Sequence, residues 1–329
     1  MAQLLDGIDH RLLDEFQRDL PLVPRPFAAM GEALGIGEAE VIGRLESLKA
    51  RGLISRVGAT VRPNTAGAST LAAMAVPAER IDAVASIIGA EPGVNHSYLR
   101  EDEWNLWFVA TAPDAEQLEA ALARIEAVSG LRVLDLRLIR PFNIDLGFSL
   151  SGKTGPLPVK PPVSLDAMQE DDKPLLQALS EGLPLVVRPY AALAARLGRD
   201  EAGLIARLRV LAEAGLIARL GVIVLHRSIG WTANAMAVWD VPEHLIADAG
   251  AVAAAFPGVT LCYQRRTVPG VWPYALYTMV HARSREEALD VLSRLKSTPQ
   301  FAGVANRVLF STRCFKQTGA LLHSREAAA

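Results

Sequence analysis

The chain has 329 residues, 50% of them hydrophobic and 21% charged, which is typical of a globular protein with more than one domain. Its 34 lysine and arginine residues nearly balance 36 aspartate and glutamate residues, so net charge does not recruit nucleic acid or an anionic membrane. Two cysteines, no recognisable secretion signal and no apolar run near the ~20 residues that span a bilayer exclude a disulfide framework and predict a cytoplasmic protein.

The sequence is repeated within itself. Residues 20–27 (LPLVPRPF) recur as residues 183–190 (LPLVVRPY), and residues 50–58 (ARGLISRVG) recur as residues 213–221 (EAGLIARLG) at the same spacing. Such a duplication predicts that the two halves share one fold.

Each copy opens with three helical patterns. In the first copy, apolar residues recur at spacings of three and four over residues 12–20, 27–34 and 41–48. Residues 53–61 then alternate like a small hairpin. Three helices and a hairpin predict a winged helix-turn-helix.

The predicted recognition helices do not favour DNA binding. Residues 37–51 carry three acidic and three basic side chains, and residues 199–213 do the same. A helix that follows phosphates should carry a basic excess. This balance favours a retained structural or dimerising module, with DNA not expected as a partner.

The second part of each copy predicts the order strand, helix, strand, strand, helix, strand, which is the ferredoxin-like βαββαβ pattern. In the first copy the elements are residues 71–76, 78–91, 94–100, 105–111, 115–129 and 131–139. The predicted fold class is therefore α+β, a tandem duplication of a winged helix-turn-helix plus a ferredoxin-like domain. The predicted domains are winged helices at 1–62 and 169–226, ferredoxin-like domains at 63–150 and 227–329, and a proline- and glycine-rich linker at 151–168.

Two matching strands carry the candidate site. Because side chains alternate along a strand, every second residue should lie on the same face of the sheet, here called the shared face. In the first copy these residues are Val94, His96, Tyr98 and Arg100, and in the second they are Val259, Leu261, Tyr263 and Arg265. Such polar groups are costly on a buried face unless they meet something polar and anionic. A histidine is present only in the first copy.

The motifs around these strands resemble those of a known family. They are residues 95–100 (NHSYLR), 104–108 (WNLWF), 262–265 (CYQR), 272–274 (WPY) and 277–281 (YTMVH). The overall pattern resembles the Lrp/AsnC regulators, and these motifs resemble the siroheme decarboxylases of haem d1 biosynthesis in their fused D and L form. The resemblance covers nearly the whole chain except the linker and the tail after about residue 319.

The resemblance implies a carboxy-lyase that removes the C12 and C18 acetate carboxyl groups of siroheme. Loss of carbon dioxide leaves an electron pair, which a protonated macrocycle can accept. The remaining methylene group must then gain a proton. Histidine suits this acid role near neutral pH. No organic cofactor and no protein-bound metal are expected, since the iron belongs to the substrate. Related decarboxylase subunits or a homodimer are the implied protein partners, and a ligand-responsive transcription regulator is the alternative function.

The resemblance and the chemistry together give the candidate site residues. The catalytic candidates are His96, Tyr98, Arg100 and His281. The substrate-binding candidates are the cations Arg265, Arg140, Arg313 and Lys316 and the aromatic residues Tyr263, Trp104, Trp107, Trp272 and Tyr274, with Tyr277 as a further wall residue.

Each candidate has a structural alternative. His96 could be a satisfied interior histidine, and Arg100 and Arg265 could be ordinary ion-paired arginines. His281, which aligns with Thr111, could be a second acid, an axial ligand to the substrate iron or a core residue bonded to backbone. The aromatic residues could form core, and the two tyrosines of the shared faces could orient carboxylates or cap that core.

Overall fold

A computed structural model describes residues 5–144, 147 and 163–323. Most of the predicted linker, up to residue 162, lies outside the described residues. The described residues divide into two compact units: the winged-helix unit, residues 5–66, 147 and 163–229, and the barrel unit, residues 67–144 and 230–323. In the described part of the chain no helix combines the length and the apolar character that crossing a membrane requires.

The helices and strands follow the predicted repeat. In the first copy they are α1 Gly7–Glu15, α2 Pro26–Leu34, α3 Glu38–Ala50, β1 Ile54–Val61, β2 Ala68–Met74, α4 Ile81–Ala90, β3 Val94–Arg100, β4 Leu106–Ala112, α5 Ala115–Ser129 and β5 Val133–Asn143. In the second copy they are α6 Asp172–Glu181, α7 Pro189–Arg196, α8 Glu201–Glu213, β6 Ile217–Val224, β7 Ala233–Trp239, α9 Ile246–Ala255, β8 Val259–Arg265, β9 Leu276–Ala282, α10 Arg285–Lys296 and β10 Asn306–Gln317. The predicted α+β duplication is confirmed.

The winged-helix unit contains no hairpin at residues 53–61, so that prediction is wrong. The segment is one strand, β1, which pairs antiparallel with β6 of the other copy. Gly58 pairs with Gly221 at the centre. A Cβ atom on Gly58 would lie 2.4 Å from the backbone oxygen of Leu179, and one on Gly221 would lie 2.5 Å from the backbone oxygen of Phe16. Because glycine has no Cβ atom, each strand can lie directly against the end of the other copy's first helix. This contact between copies takes the place of the hairpin turn of a wing.

One arginine of the first predicted recognition helix, Arg44, is bound by acidic residues. Arg44 on α3 donates to Asp6 at 2.7 Å, to Asp9 at 2.9 Å and to Glu40 at 2.9 Å. A guanidinium held by three carboxylates is poorly placed to bind phosphate. These contacts agree with the low expectation of DNA binding.

The barrel unit is closed by exchange of strands between the copies. Its order is β10-β3-β4-β2-β5-β8-β9-β7, with β5 pairing β2 and then β8, and β10 pairing β7 and then β3. Three apolar clusters follow from this closure. In each copy one cluster lies between the sheet and the helices of that copy, and the third cluster fills the space inside the barrel.

A bulge corrects one predicted face on each shared strand. The pairing of β3 with β4 shifts between Val94 and His96, and the pairing of β8 with β9 shifts between Val259 and Leu261. Val94 and Val259 therefore pack in the helix-side cores, so placing them on the faces of His96 and Leu261 was wrong. An unbroken period of two cannot hold across an inserted residue. Past the bulge, the alternation is as predicted.

Candidate active site

Three side chains follow one another along the inner face of β3. The rings of His96 and Tyr98 stack with centroids 6.4 Å apart, and the Arg100 guanidinium carbon lies 5.8 Å from the centroid of the Tyr98 ring. Opposite them on β4, Val109 pairs with His96 and Trp107 pairs with Tyr98. The strand thus presents an imidazole, a phenol and a guanidinium in a row.

Arg100 is buried, with 6% of its surface exposed. Its Nη1 donates to the backbone oxygen of Leu309 at 3.0 Å, and Nη1 and Nη2 both donate to Oδ1 of Asn234 at 3.2 Å. Among the described residues no carboxylate lies within ion-pair distance of it. Burial lowers its pKa to about 10, and the guanidinium still keeps its charge near neutral pH. A buried cation with only neutral partners is suited to binding an anion.

Neighbouring side chains determine the tautomer of His96. Thr111 donates to the backbone oxygen of Gly93 and accepts from Nδ2 of Asn95 at 3.3 Å, which turns Oδ1 of Asn95 toward His96. That oxygen lies 2.6 Å from His96 Nδ1. Because an amide oxygen only accepts, Nδ1 carries the proton. The exchangeable proton of His96 is consequently the one on Nε2.

His281 lies in a different network. Thr260 donates to the backbone oxygen of Met279 at 3.0 Å, so its hydroxyl oxygen accepts from His281 Nδ1 at 2.7 Å. The other ring nitrogen, Nε2, lies 3.0 Å from Asn234 Nδ2, which donates to it. Burial first, and then the nearby Arg100 charge, lower the pKa of His281 to about 4. The ring is therefore neutral near neutral pH.

The second copy's shared face lacks this arrangement. The Arg265 guanidinium carbon lies 4.6 Å from the centroid of the Tyr263 ring, and Nη1 donates to the backbone oxygen of Leu136 at 2.8 Å. Among the described residues Arg265 Nε has no hydrogen-bond partner. Burial lowers the pKa of Arg265 as well. The tyrosine and arginine pair is repeated, but Leu261 occupies the position of the histidine.

Most of the aromatic candidates pack against one another. The ring centroids of Trp107 and Trp272 lie 5.4 Å apart, and those of Trp272 and Tyr274 lie 4.9 Å apart, both edge to face. Tyr277 accepts a hydrogen bond from Trp272 Nε1 at 2.7 Å and stacks on Tyr263 at 5.6 Å. Trp107 and Trp272 are each 1% exposed, so these rings form the inner core of the barrel, and their role as ligand walls stays a prediction.

Trp104 differs from the other aromatic candidates. It is half-buried, follows β3 in a short loop and packs against the inner cluster of the barrel. Its backbone oxygen accepts from Trp107 Nε1, which fixes the loop to β4. Trp104 therefore has more surface to offer a ligand than Trp107 has.

The structure does not bring the remaining cations to the row on β3. Arg313 forms an ion pair with Asp82 of α4 at 2.6 Å, and Lys316 donates to the backbone oxygen of Gly89 at 2.8 Å. Both contacts are on the helix side of the sheet. Arg140 is exposed, with its guanidinium carbon 5.8 Å from the centroid of the Phe142 ring. These three remain substrate-binding predictions without support from their contacts.

Sequence reasoning missed the neutral polar residues that connect the site. Asn95 and Thr260 occupy the bulges, and Asn234 lies on β7. Aligning the two copies provides a usable signal, because Asn95 and Thr111 in the first copy correspond to Thr260 and His281 in the second. Each copy has a hydrogen-bonded pair at these two positions. Within the described residues, no group of three or more histidine, cysteine, aspartate or glutamate side chains could hold a metal ion.

Two family models match the chain, each of them twice. A model described as an AsnC-like ligand binding domain matches residues 66–143 and 228–316. A model described as a siroheme decarboxylase NirDL-like HTH domain matches residues 9–54 and 172–217. The matches thus cover both copies in both units.

Relatives agree with the family models along nearly the whole chain. The siroheme decarboxylase NirDL subunit of Paracoccus denitrificans is 59% identical over 318 residues, which cover 97% of this chain and 98% of that protein. A crystal structure of the siroheme decarboxylase NirDL matches with a TM-score of 0.69 and 28% identity, covering 97% of this chain and 95% of that one. A second, in co-complex with an iron-uroporphyrin III analogue, matches with a TM-score of 0.68 and 28% identity, covering 95% and 94%.

These relatives are named as decarboxylases over their full length, so the alternative prediction of a transcription regulator is not supported. The helix-turn-helix segments match a model specific to the decarboxylases, and the barrel unit matches the ligand-binding model. The chain belongs to the siroheme decarboxylase NirDL family.

Proposed function

We propose that this chain is a carboxy-lyase that removes the C12 and C18 acetate carboxyl groups of siroheme to give 12,18-didecarboxysiroheme in haem d1 biosynthesis. The observation that carries this proposal is the buried Arg100, whose partners among the described residues are neutral, in one row with His96 and Tyr98. A multiply anionic tetrapyrrole supplies the charge that this guanidinium requires. The binding of an iron-uroporphyrin III analogue by a relative of the same fold supports the choice of ligand.

His96 is the general acid of the proposal. In each decarboxylation the bond between the methylene carbon and the carboxyl carbon breaks, carbon dioxide leaves, and the electron pair moves into the protonated macrocycle. The methylene carbon then gains a proton and becomes a methyl group, and the macrocycle releases the proton that it had taken up, so each event consumes one proton net. Because Asn95 holds Nδ1 of His96, the proton is delivered from Nε2 and is replaced from solvent.

Arg100 and Arg265 anchor carboxylates that do not react. A guanidinium that paired tightly with the reacting acetate would stabilise the ground state and raise the barrier. Arg100 is directed by Asn234 and the backbone of Leu309, and Arg265 by the backbone of Leu136, so both are held before substrate arrives. Tyr98 and Tyr263 lie beside these cations, where their hydroxyl groups can orient the same carboxylates.

The proposal includes no organic cofactor, because proton transfer and the substrate's own conjugation supply the chemistry. The iron enters as part of siroheme. A homodimer or related decarboxylase subunits are the proposed protein partners. Cytoplasmic residence fits Cys262 and Cys314, which are not joined in a disulfide.

Anaerobic incubation with siroheme, followed by mass spectrometry of the tetrapyrrole, tests the activity. The wild-type chain should yield the doubly decarboxylated product. Arg100→Ala should weaken siroheme binding on the order of 10- to 100-fold in an absorbance titration, because a charge-assisted contact is lost. Arg294→Ala removes a charge that is paired with Asp290 on the exposed side of α10, and it is the matched control. Unchanged siroheme and an Arg100→Ala titration equal to that of Arg294→Ala would contradict the proposal.

A further inference from the structure

Asn234 connects the two polar groups of the barrel interior that come from different copies. Its Oδ1 accepts from both terminal nitrogens of Arg100 at 3.2 Å, and its Nδ2 lies 3.0 Å from Nε2 of His281. Arg100 lies on β3 of the first copy, whereas Asn234 and His281 lie on β7 and β9 of the second. One side-chain amide therefore contacts both a cation and an imidazole.

The chemistry of these groups allows a single arrangement of protons. A guanidinium only donates, so the oxygen of Asn234 must face Arg100 and its NH₂ group must face His281. His281 Nε2 must then accept and cannot carry a proton. On the other side of the ring, the Thr260 hydroxyl already donates to the backbone oxygen of Met279, so it accepts from Nδ1. The chain of donors runs without conflict only when His281 is neutral and protonated on Nδ1.

We infer that Asn234 is a positioning residue of the decarboxylase, which keeps His281 neutral in the Nδ1-protonated form and through the same amide aims the Arg100 guanidinium. A proton on Nε2 would oppose the NH₂ group of Asn234 and lie beside the Arg100 charge. In this arrangement both ring nitrogens of His281 are hydrogen-bonded, Nδ1 to Thr260 and Nε2 to Asn234. This inference rests on the proposed role of Arg100 for its effect on substrate binding, but the tautomer of His281 does not depend on that role.

The first copy provides an internal comparison. The strand pairing of Ser69 with Thr111 repeats that of Asn234 with His281. A serine hydroxyl is too short to contact a guanidinium and an imidazole at the same time. Among the described residues of β2 and β7, a single amide that contacts both an arginine and a histidine is therefore present only in the second copy's strand β7, next to Arg100.

Nitrogen NMR of the full-length protein labelled with ¹⁵N-histidine tests the inference directly. His281→Gln identifies the His281 signals by their loss. The wild-type protein should show His281 neutral, with the proton on Nδ1, at about pH 7. An Nε2-protonated or doubly protonated His281 in the wild-type protein would overturn the inference.

Two substitutions then separate positioning from folding. Asn234→Asp places a carboxylate between the Arg100 guanidinium and the His281 ring. His281 should then become protonated on Nε2, and Arg100 should bind the substrate carboxylate less tightly. We expect KM for siroheme to rise at least about tenfold, with a smaller change in kcat, because a uniform binding contact is weakened. Asn234→Ser introduces the residue that the first copy has at this position, Ser69, and adds no charge. In this variant His281 should no longer be held in one tautomer, and KM should rise.

Ser69→Asn on the opposite strand is the matched control and should leave the His281 signals and KM unchanged. If Asn234→Asp leaves both the tautomer and KM at wild-type values, the inference is wrong. A different outcome is that the tautomer responds as expected but Arg100→Ala still binds siroheme normally. In that case Asn234 determines the tautomer of His281, and it is the proposed role of Arg100 that is wrong.

Discussion

The two halves of the barrel repeat one order of strands and differ in the side chains that these strands carry. In the half organised by β3, His96, Tyr98 and Arg100 form a row, and Asn234 from the other copy orients the arginine. In the half organised by β8, a tyrosine and an arginine repeat but Leu261 replaces the histidine. Duplication thus preserved the pair of tyrosine and arginine in both halves and left a histidine at this position in one.

The histidines themselves differ by what surrounds them. His96 Nδ1 donates to an amide oxygen, which leaves the exchange of a proton to Nε2. His281 is bonded through Nδ1 to Thr260 and through Nε2 to Asn234, and its pKa is lowered to about 4. Identical side chains in one barrel therefore have different hydrogen-bond partners on their ring nitrogens, and this difference underlies the separate roles proposed for them.

The largest effect should come from the residue that only one half has. We expect His96→Gln to lower kcat for siroheme decarboxylation about 10²- to 10⁴-fold, because a general acid is lost. Leu261→Gln, at the same position of the other half, should change kcat only slightly. Product formation under anaerobic conditions measures both. Equal losses in the two variants would mean that the halves share the chemistry.

The winged-helix unit offers a contrast, because there both copies keep the same central residue, Gly58 in β1 and Gly221 in β6. Gly58→Ala and Gly221→Ala should each lower the free energy of unfolding by about 1–3 kcal/mol, since the new methyl group meets backbone of the other copy. Urea unfolding measures the change. Gly43→Ala on α3, where a Cβ meets nothing within 4 Å, is the control and should be neutral or stabilising. A tolerated change at one central glycine only would show that this unit is asymmetric too.

The pH dependence of stability should reveal the neutral histidine. The pKa of His281 is about 4 in the folded chain against an ordinary value of 6.5, so the unfolded chain binds a proton between these values and the folded chain does not. The free energy of unfolding should therefore fall as pH drops, by about 1–2 kcal/mol between about pH 7 and about pH 5 from this group. His281→Gln should lose that share of the pH dependence. Parallel curves for the two proteins would contradict the assignment.

The smallest effect compares the two arginines. Among the described residues Arg265 has a backbone partner, but its Nε is unpaired and no side-chain amide directs it, so we expect Arg265→Ala to weaken siroheme binding only about 2- to 10-fold. The same titration applied to Arg100→Ala should give the larger loss. A greater loss at Arg265 would place the main anchor in the β8 half.

Much of the molecule could be predicted from the sequence because the repeat and the periodicity are local. The predicted strand at residues 94–100 and the predicted helix at 115–129 agree with β3 and α5. The repeated tyrosine and arginine also fall on matching inner faces. These features depend on residues that are near in sequence, where backbone geometry alone fixes which side chains share a face.

The tertiary structure decided what depends on distant residues. A bulge before His96 moved Val94 to the helix side, and β1 found its partner in β6 instead of in a hairpin. Asn234 reaches Arg100 across 134 positions of the chain, a contact that no local pattern encodes. The sequence by itself determined the duplicated fold and the residue types of the site. Only closure of the barrel decided the tautomer of each histidine, because a tautomer is set by the hydrogen-bond partners that folding brings to each ring nitrogen.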